Sequence, residues 1–326
     1  MGKKSLFALL TLLGAGVLSL CLGAVRLTPG QLWQALLAGP RDTAGYIFWY
    51  VRLPRTVGCI LAGAALSVSG AVIQRVLHNA LASPSIIGVN AGAGLAVTVC
   101  CALGLLSGWM IAGAAFLGAM AAVLLILLAA EKTGASRTTV ILGGVAVNAF
   151  LNALAEAVTV LIPEAGVLAG DFRVGGFSSV AWPRLLPAAG IILLAMLAVF
   201  SLGNVLDVLA LGDNTARGLG LPVRPVRIVL LILAAALAGA AVSFGGLLGF
   251  IGLIVPHAVG KLAGRESRFL LPMCALLGGA FVTVCDLIAR MAFAPYELPV
   301  GILLSVLGGP VFLWLLWKHK GGKRHA

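Results

Sequence analysis

Two arginines, Arg52 and Arg55, stand at the start of a segment that otherwise has the composition of a membrane helix, VRLPRTVGCILAGAALSVSGAVIQ (51–74). A guanidinium group donates paired hydrogen bonds to a carboxylate, so the two side chains could bind an acidic partner. They could equally reach lipid phosphates or hold the preceding loop. The spacing by itself leaves both interpretations open.

A second polar pattern lies inside an apolar run, VAVNAFLNALAEAVTV, where Asn148, Asn152 and Glu156 recur every four residues. This spacing places them on one stripe of a helix. Because an ionisable group within a span is costly, it faces the bundle interior or a watery cavity by default. We predict that the stripe faces a translocation pathway, with Glu156 nearer the outer end, contacting cargo or gating it. The alternative is a set of hydrogen bonds between helices, buried in the bundle.

Other reactive groups show no catalytic or metal-binding pattern. The sequence has no G-x-x-x-x-G-K-[ST] phosphate loop, and NAGAG at 90–94 lacks the lysine of one. The four histidines do not cluster, and we interpret His257 as structural. The six cysteines lie in apolar runs without CxxC spacing, as expected of small core residues. We therefore expect no catalytic residue, no metal site and no cofactor in this chain.

The elements that position these residues follow from composition. With 61% hydrophobic residues, 10% charged residues and a mean hydropathy of +1.13, the chain differs from soluble domains, in which about a quarter of residues are charged. At about 20 residues per span, 326 residues allow about ten crossings with short loops. We predict an all-α polytopic membrane protein with one domain, 1–326, and no separate soluble domain. The apolar runs are about 5–25, 56–76, 85–105, 109–130, 139–162, 183–203, 226–243, 247–263, 269–291 and 298–317.

Orientation follows from lysine and arginine, which are retained on the cytoplasmic side. If the N-terminus is inside and the first run is a retained span, most of these residues fall in inner segments. An even number of spans returns the basic tail KHKGGKRHA to the cytoplasm, beside anionic lipid. The net charge of +12 therefore needs no nucleic acid to explain it. Arg52 and Arg55 then lie outside, against the usual bias, which favours a specific role for them.

Five motifs stand between about residue 50 and the C-terminus: RLPRTVGCILAGAALSVSGAVIQRVLHNALASPSIIGVNAGAG (52–94), LDVLALGDNTARGLGLPV (206–223), GFIGLIVPHAVGKLAG (249–264), DLIAR (286–290) and ELPVGILLSVLGGPVFLWLL (297–316). In order and spacing they closely resemble the permease subunits of ATP-binding-cassette (ABC) importers for iron-siderophore complexes, haem and vitamin B12. The resemblance implies ten helices with cytoplasmic termini, in the prokaryotic plasma (inner) membrane.

The resemblance also implies partners. Such permeases work in pairs, usually of identical copies, with two cytoplasmic ABC ATPase subunits and an extracytoplasmic substrate-binding protein; ATP and Mg bind on the ATPase. Arg52, Arg55 and Arg290 would meet acidic residues of the binding protein. An internal alternative for Arg290 is an i,i+4 salt bridge with Asp286, and both can hold because arginine offers five donors.

The cytoplasmic loop 204–225 is the other informative segment. Its composition predicts a short helix that starts near Asp213 or Asn214 as cap and is stopped by Gly218 and Gly220. The resemblance implies that this helix rests in a groove of the ATPase and couples nucleotide-driven closure to the membrane helices. The predicted coupling residues are Ala210, Leu211, Gly212, Asp213, Asn214, Thr215, Ala216, Arg217, Gly218, Leu219 and Gly220.

From these observations we predict a permease subunit, with no enzyme activity of its own, that moves a bulky metal chelate into the cytoplasm. An iron-siderophore complex is the first expectation, and haem and cobalamin remain open. A homodimer is the simpler assembly. The alternative is a secondary transporter driven by an ion gradient, with Glu156 as the coupling site. Such proteins usually carry inverted repeats, and the two halves of this sequence show no convincing repeat.

Overall fold

The computed structural model describes residues 3–23, 28–132, 137–264, 266–292 and 296–321, and within these ranges all regular structure is helical. A π-helical stretch, Ile47–Arg52, joins α3 to α4. The all-helical prediction is confirmed. In chain order the helices are α1 (Lys3–Cys21), α2 (Pro29–Ala38), α3 (Thr43–Tyr46), α4 (Leu53–Val76), α5 (Val89–Ala102), α6 (Gly108–Lys132), α7 (Arg137–Leu161), α8 (Pro163–Leu168), α9 (Gly170–Val174), α10 (Trp182–Ser201), α11 (Gly203–Ala210), α12 (Asp213–Gly218), α13 (Val223–Gly245), α14 (Ile251–Ala263), α15 (Ser267–Met291) and α16 (Val300–Gly321).

Seven helical segments of the described chain are long and apolar enough to cross a membrane: Lys3–Cys21, Thr43–Val76, Gly108–Ala130, Thr138–Leu161, Trp182–Ser201, Val223–Gly245 and Ser267–Met291. The other three predicted spans coincide with shorter apolar helices, Val89–Ala102, Ile251–Ala263 and Val300–Trp314. The 14 residues of α5 and the 13 of α14 cover only about 20 Å each, against a hydrocarbon core of about 30 Å. A multi-pass membrane architecture is thus established.

The shortness of α5 and α14 has a local cause. Each begins after a non-helical segment that contains a left-handed backbone: Gly88 (φ +94°) precedes α5, whereas Gly246 (φ +71°) and Phe250 (φ +64°) precede α14. A positive φ interrupts a right-handed helix, and these segments are apolar in composition. The hydropathy of the runs 85–105 and 247–263 therefore overstated the length of helix in them.

Helix α4 is the central element of the bundle. It packs against α13, α14 and α15, and most of its residues are buried. Glycines allow the close approach: a methyl group on Gly63 would lie 2.1 Å from the carbonyl oxygen of Gly278 in α15, and one on Gly70 would lie 1.9 Å from that of Gly252 in α14. Backbone-to-backbone contact of this kind is how membrane helices associate where lipid provides no hydrophobic driving force.

The substitution Gly70→Ala tests this packing. Because the added methyl group would overlap the Gly252 carbonyl, we expect the free energy of unfolding to fall by about 1–3 kcal/mol. Thermal unfolding of the purified protein in detergent measures the change. The matched control is Gly113→Ala in α6, where a methyl group would meet no atom within 4 Å. Equal unfolding midpoints for the two variants would contradict the close approach of α4 and α14.

Candidate functional site

Arg52, Arg55 and Arg290 lie together where α1 and α15 end and α4 begins, which we call the arginine end of the bundle. The side chains come from distant parts of the sequence but converge because α4 and α15 pack along their length. All three residues are buried, with relative exposures of 4%, 7% and 7%. A buried guanidinium requires a counter-charge or several hydrogen-bond acceptors, and each of the three has them.

Asp286 is the main counter-charge at the arginine end. One Asp286 carboxylate oxygen accepts a hydrogen bond from Arg55 Nη2 at 3.0 Å, and the other accepts one from Arg55 Nε at 3.0 Å. A second carboxylate, Glu297, accepts from Arg55 Nη1 at 2.7 Å. The i,i+4 pair of Arg290 Nε with Asp286 is also present, at the longer distance of 3.8 Å. Sequence reasoning found this local pair but missed the stronger pairing of Asp286 with Arg55.

The other two arginines hold the end of α1. Arg52 Nη1 donates to the carbonyl oxygens of Leu20 and Cys21, the latter at 2.9 Å. Arg290 Nη2 donates to the carbonyl and hydroxyl oxygens of Ser19, at 2.9 and 2.8 Å. The last carbonyls of a helix lack partners within the helix and carry partial negative charge, so cations stabilise them. Internal hydrogen bonds of this kind match the interpretation in which the arginines hold neighbouring chain.

At the opposite end, which we call the loop end, α12 (Asp213–Gly218) lies where the sequence indicated a short helix. Its cap differs from the prediction: Gly212 (φ +111°) occupies the cap position and Asp213 is the first helical residue. The Asp213 side chain instead accepts from Arg227 Nη2, at 2.7 Å to each oxygen. This ion pair ties α12 to the first turn of α13.

The exposed surface at α12 is mixed in composition. The helix itself exposes polar side chains, those of Asn214, Thr215 and Arg217. Leu211 and Leu219, which flank the helix, are each 64% exposed, whereas Ala216 is fully buried. A partner surface that accepts both leucines could cover this end of the bundle.

Asp207 of α11 joins three helices at the loop end. It accepts hydrogen bonds from the backbone nitrogen of Ser267 at 3.0 Å and from the Ser267 hydroxyl at 2.9 Å, at the start of α15. It also pairs with Arg75, in the last turn of α4. We call Arg75, Asp207 and Ser267 the loop-end clamp. The clamp fixes α11, which leads directly into α12, to the ends of both α4 and α15; sequence reasoning did not single out its members.

The three residues of the predicted polar stripe on α7 do not share one environment. Asn148 Nδ2 donates to the carbonyl oxygens of Ser85 and Ile86, at 2.9 and 3.1 Å, in the non-helical segment before α5. Asn148 therefore bonds within the bundle, as in the alternative interpretation, although its partners are backbone groups of a non-helical segment and not of a second helix. Asn152 and Glu156 are exposed on the surface of the chain.

The cysteines that the sequence assigned to the core are free thiols, and four of them, Cys59, Cys101, Cys274 and Cys285, are buried. Within the part of the chain that the structure describes, no three His, Cys, Asp or Glu side chains come together as a metal site.

Comparison with known proteins gives consistent matches. The model of the FecCD transport family matches residues 10–318. The vitamin B12 import system permease protein BtuC of Salmonella typhi is 37% identical over 315 residues, covering 95% of this chain and 93% of the relative. The hemin transport system permease protein HmuU of Yersinia pestis is 34% identical over 321 residues, covering 97% and 95%. A solved metal-chelate type ABC transporter in an inward-facing conformation has a TM-score of 0.87 and 28% identity, covering 97% of this chain and 99% of the other.

Proposed function

The chain belongs to the FecCD transport family, and from this premise we propose that it forms the membrane pathway of an importer whose ATPase and cargo-binding protein are separate subunits. It is an ABC importer permease of the inner membrane. The observation that carries the proposal is the similarity to vitamin B12 and hemin permeases along nearly the whole chain. This similarity includes both ends of the bundle, where contacts with such subunits must form.

The cargo we propose is a bulky, preformed metal chelate. The two relatives are named for the import of vitamin B12 and the transport of hemin, and each of these compounds holds a metal in a macrocycle. An iron-siderophore complex is our first candidate, with haem and cobalamin next. A pathway for such a cargo needs wide, weakly binding walls, because a tight site would retain what it should release.

We place the loop end in the cytoplasm, with both termini, and infer that two ABC ATPase subunits dock there. The exposed Leu211 and Leu219 would enter a groove of the ATPase, where ATP and Mg bind. Two contacts make α12 suitable for transmitting force: the Asp213–Arg227 ion pair and the loop-end clamp. A rigidly anchored helix transmits a displacement to its neighbours, whereas a mobile loop would absorb it.

The arginine end then faces the extracytoplasmic binding protein. Its three arginines exceed the carboxylates of Asp286 and Glu297 by one positive charge. The side chain of Glu297 is 41% exposed, and it occupies only one of the nitrogen atoms of Arg55. We propose that an acidic residue of the binding protein displaces Glu297 from Arg55 on docking. Complementary charge of this kind fixes the register of a partner and speeds its approach.

A second copy of the chain completes the pathway in our proposal. Helix α7 is one of the least buried of the long helices, and Asn152 and Glu156 lie exposed on it. An exposed carboxylate would be costly against lipid, so a watery space between two copies suits it better. In this assembly the exposed part of the stripe lines the pathway, and Asn148 keeps its structural role.

The substitution Glu156→Ala tests the pathway assignment. We expect the initial uptake rate of the cognate cargo to fall several-fold, because the carboxylate contacts the cargo or gates its passage. Uptake of labelled cargo by cells that carry the variant as their only permease measures the effect, with membrane abundance checked by immunoblot. Glu156→Gln, which keeps the size but removes the charge, separates electrostatics from volume. Normal uptake by the alanine variant would contradict the assignment.

Copurification tests the proposed function as a whole. The tagged chain is extracted from its native membranes in mild detergent, copurifying proteins are identified by mass spectrometry, and ATP hydrolysis is assayed. We expect a stoichiometric ATPase, which is lost when Leu211 and Leu219 are both changed to aspartate. The control is the pair Val167→Asp and Leu168→Asp in α8, which are exposed apolar residues outside the seven candidate spans and away from the loop end. Repeated preparations without any ATPase would contradict the proposal.

A further inference from the structure

Helix α2 (Pro29–Ala38) is short, amphipathic and set apart from the bundle core. Its ten residues are about 15 Å long, too short to cross a membrane. At 100° per residue, Trp33, Leu36 and Leu37 lie on one side, with Gln31 and Gln34 on the other. Trp33 and Leu37 are 63% and 70% exposed, so the apolar side is not covered by the described chain.

Two hydrogen bonds fix the position of α2 along the long axis of the helix bundle. The indole nitrogen of Trp49 donates to the carbonyl oxygen of Ala35 in α2 at 2.9 Å, and that of Trp182 donates to the carbonyl oxygen of Trp49 at 2.8 Å. Trp49 lies in the second turn of the continuous helical segment Thr43–Val76, which has 34 residues. That segment is about 51 Å long, about 20 Å more than the hydrocarbon core, which is long enough for its first turns to lie in the headgroup layer.

The surroundings of α2 have the composition of a membrane interface. Tyr46 and Tyr50, on the same turns as Trp49, are exposed and their ring centroids lie 4.9 Å apart. Exposed tyrosine and tryptophan are typical of the boundary between lipid and water. Helix α2 also contacts the long apolar helix α1, in whose last turns Val17 and Leu18 are exposed, so both helices present apolar side chains at the arginine end.

We propose that α2 lies in the plane of the membrane interface at the arginine end, with Trp33, Leu36 and Leu37 inserted among the lipid headgroups. The occupant of its apolar side is phospholipid. A helix without charged residues gains its membrane affinity from buried apolar area alone. Trp49 connects α2 to the helical segment that continues into α4. The position of α2 in the membrane interface therefore determines how far the arginine end lies from the centre of the bilayer.

Site-directed spin labelling tests the proposal. Leu36→Cys and Gln34→Cys, which lie about 160° apart around α2, are labelled in a background in which the half-buried Cys21 and Cys100 are alanine. The labelled chains are reconstituted in phosphatidylcholine–phosphatidylglycerol vesicles. We expect the label at position 36 to collide several-fold more often with oxygen, relative to a water-soluble nickel chelate, than the label at position 34.

Either of two spin-label results would overturn the proposal. Equal, high accessibility of both labels to the nickel chelate would place α2 in water. Low accessibility of the label at position 36 to both reagents would show that protein, such as a second copy, covers the apolar side. An independent measurement needs no cysteine: in vesicles of brominated phosphatidylcholine, wild-type fluorescence should be quenched more than that of Trp33→Phe. Identical fractional quenching would also count against lipid contact.

Discussion

Replacing Asp286 with alanine is expected to lower the free energy of unfolding by about 3–5 kcal/mol, the cost typical of breaking a buried ion pair from one side. The loss is large because Asp286 is only 1% exposed and its two oxygens accept from both Nε and Nη2 of Arg55. Without it, Arg55 keeps only Glu297, and Arg290 loses its nearest carboxylate. Two cations, each only 7% exposed, would then remain with less negative charge to compensate them.

Thermal unfolding in detergent, followed with a dye that fluoresces on reaction with thiols, measures this loss, because the buried Cys59 and Cys274 react only after the bundle opens. The control is Glu297→Gln. It removes a carboxylate from the same arginine at a position 41% exposed, and we expect a loss below about 1 kcal/mol. If Asp286→Ala unfolded at the same temperature as Glu297→Gln, the buried pair would not stabilise the arginine end.

Replacing Asp207 with asparagine is expected to uncouple transport from ATP hydrolysis, so that hydrolysis continues while less cargo is moved. Asp207 connects α11, which leads into α12, to the ends of α4 and α15, and these two helices carry Arg55 and Asp286 at their other ends. A movement of α12 would thus reach the arginine end through packed helices. Asparagine keeps the size of the side chain but loses the charge that holds Arg75. We expect cargo moved per ATP hydrolysed to fall about tenfold, within the range usual for coupling between sites.

The measurement compares uptake and ATP hydrolysis in vesicles that contain the complete transporter. Arg75→Gln should have a similar effect, and the double variant should be little worse than either single variant, because all three remove one interaction. Glu266→Gln is the control. Glu266 is exposed and adjacent to Ser267, but its side chain makes no capping hydrogen bond to α15. An unchanged ratio of transport to hydrolysis in Asp207→Asn would contradict transmission through the clamp, as would loss of the ATPase from the complex.

The fold was largely predictable because hydropathy reports burial in lipid directly. All ten apolar runs correspond to helices of the bundle. What hydropathy cannot report is backbone conformation. The non-helical residues 85–88 and 247–250 belong to apolar runs, and within them Gly88 and Phe250, which have a positive φ, pack against α6 and α16.

The site was less predictable because its partners are distant in sequence. Arg55 was found from its charge and position, but Asp286 and Glu297 lie 231 and 242 residues away. The polar stripe shows a second limit. Residues four apart on a helix of 3.6 residues per turn rotate by about 40° per step, so Asn148 and Glu156 diverge by about 80°. That rotation turns Asn148 to the segment before α5 and leaves Glu156 on the exposed face.

The most direct test of the account is cargo uptake by vesicles that contain the permease, its copurified ATPase and the cognate binding protein. Cobalamin, haemin and a ferric siderophore are supplied outside in turn, each with the binding protein, and ATP is sealed inside. We predict that one of these chelates accumulates only with ATP, and that ionophores which dissipate proton and sodium gradients leave uptake unchanged. Uptake that proceeds without ATP and stops when an ionophore is added would contradict the account.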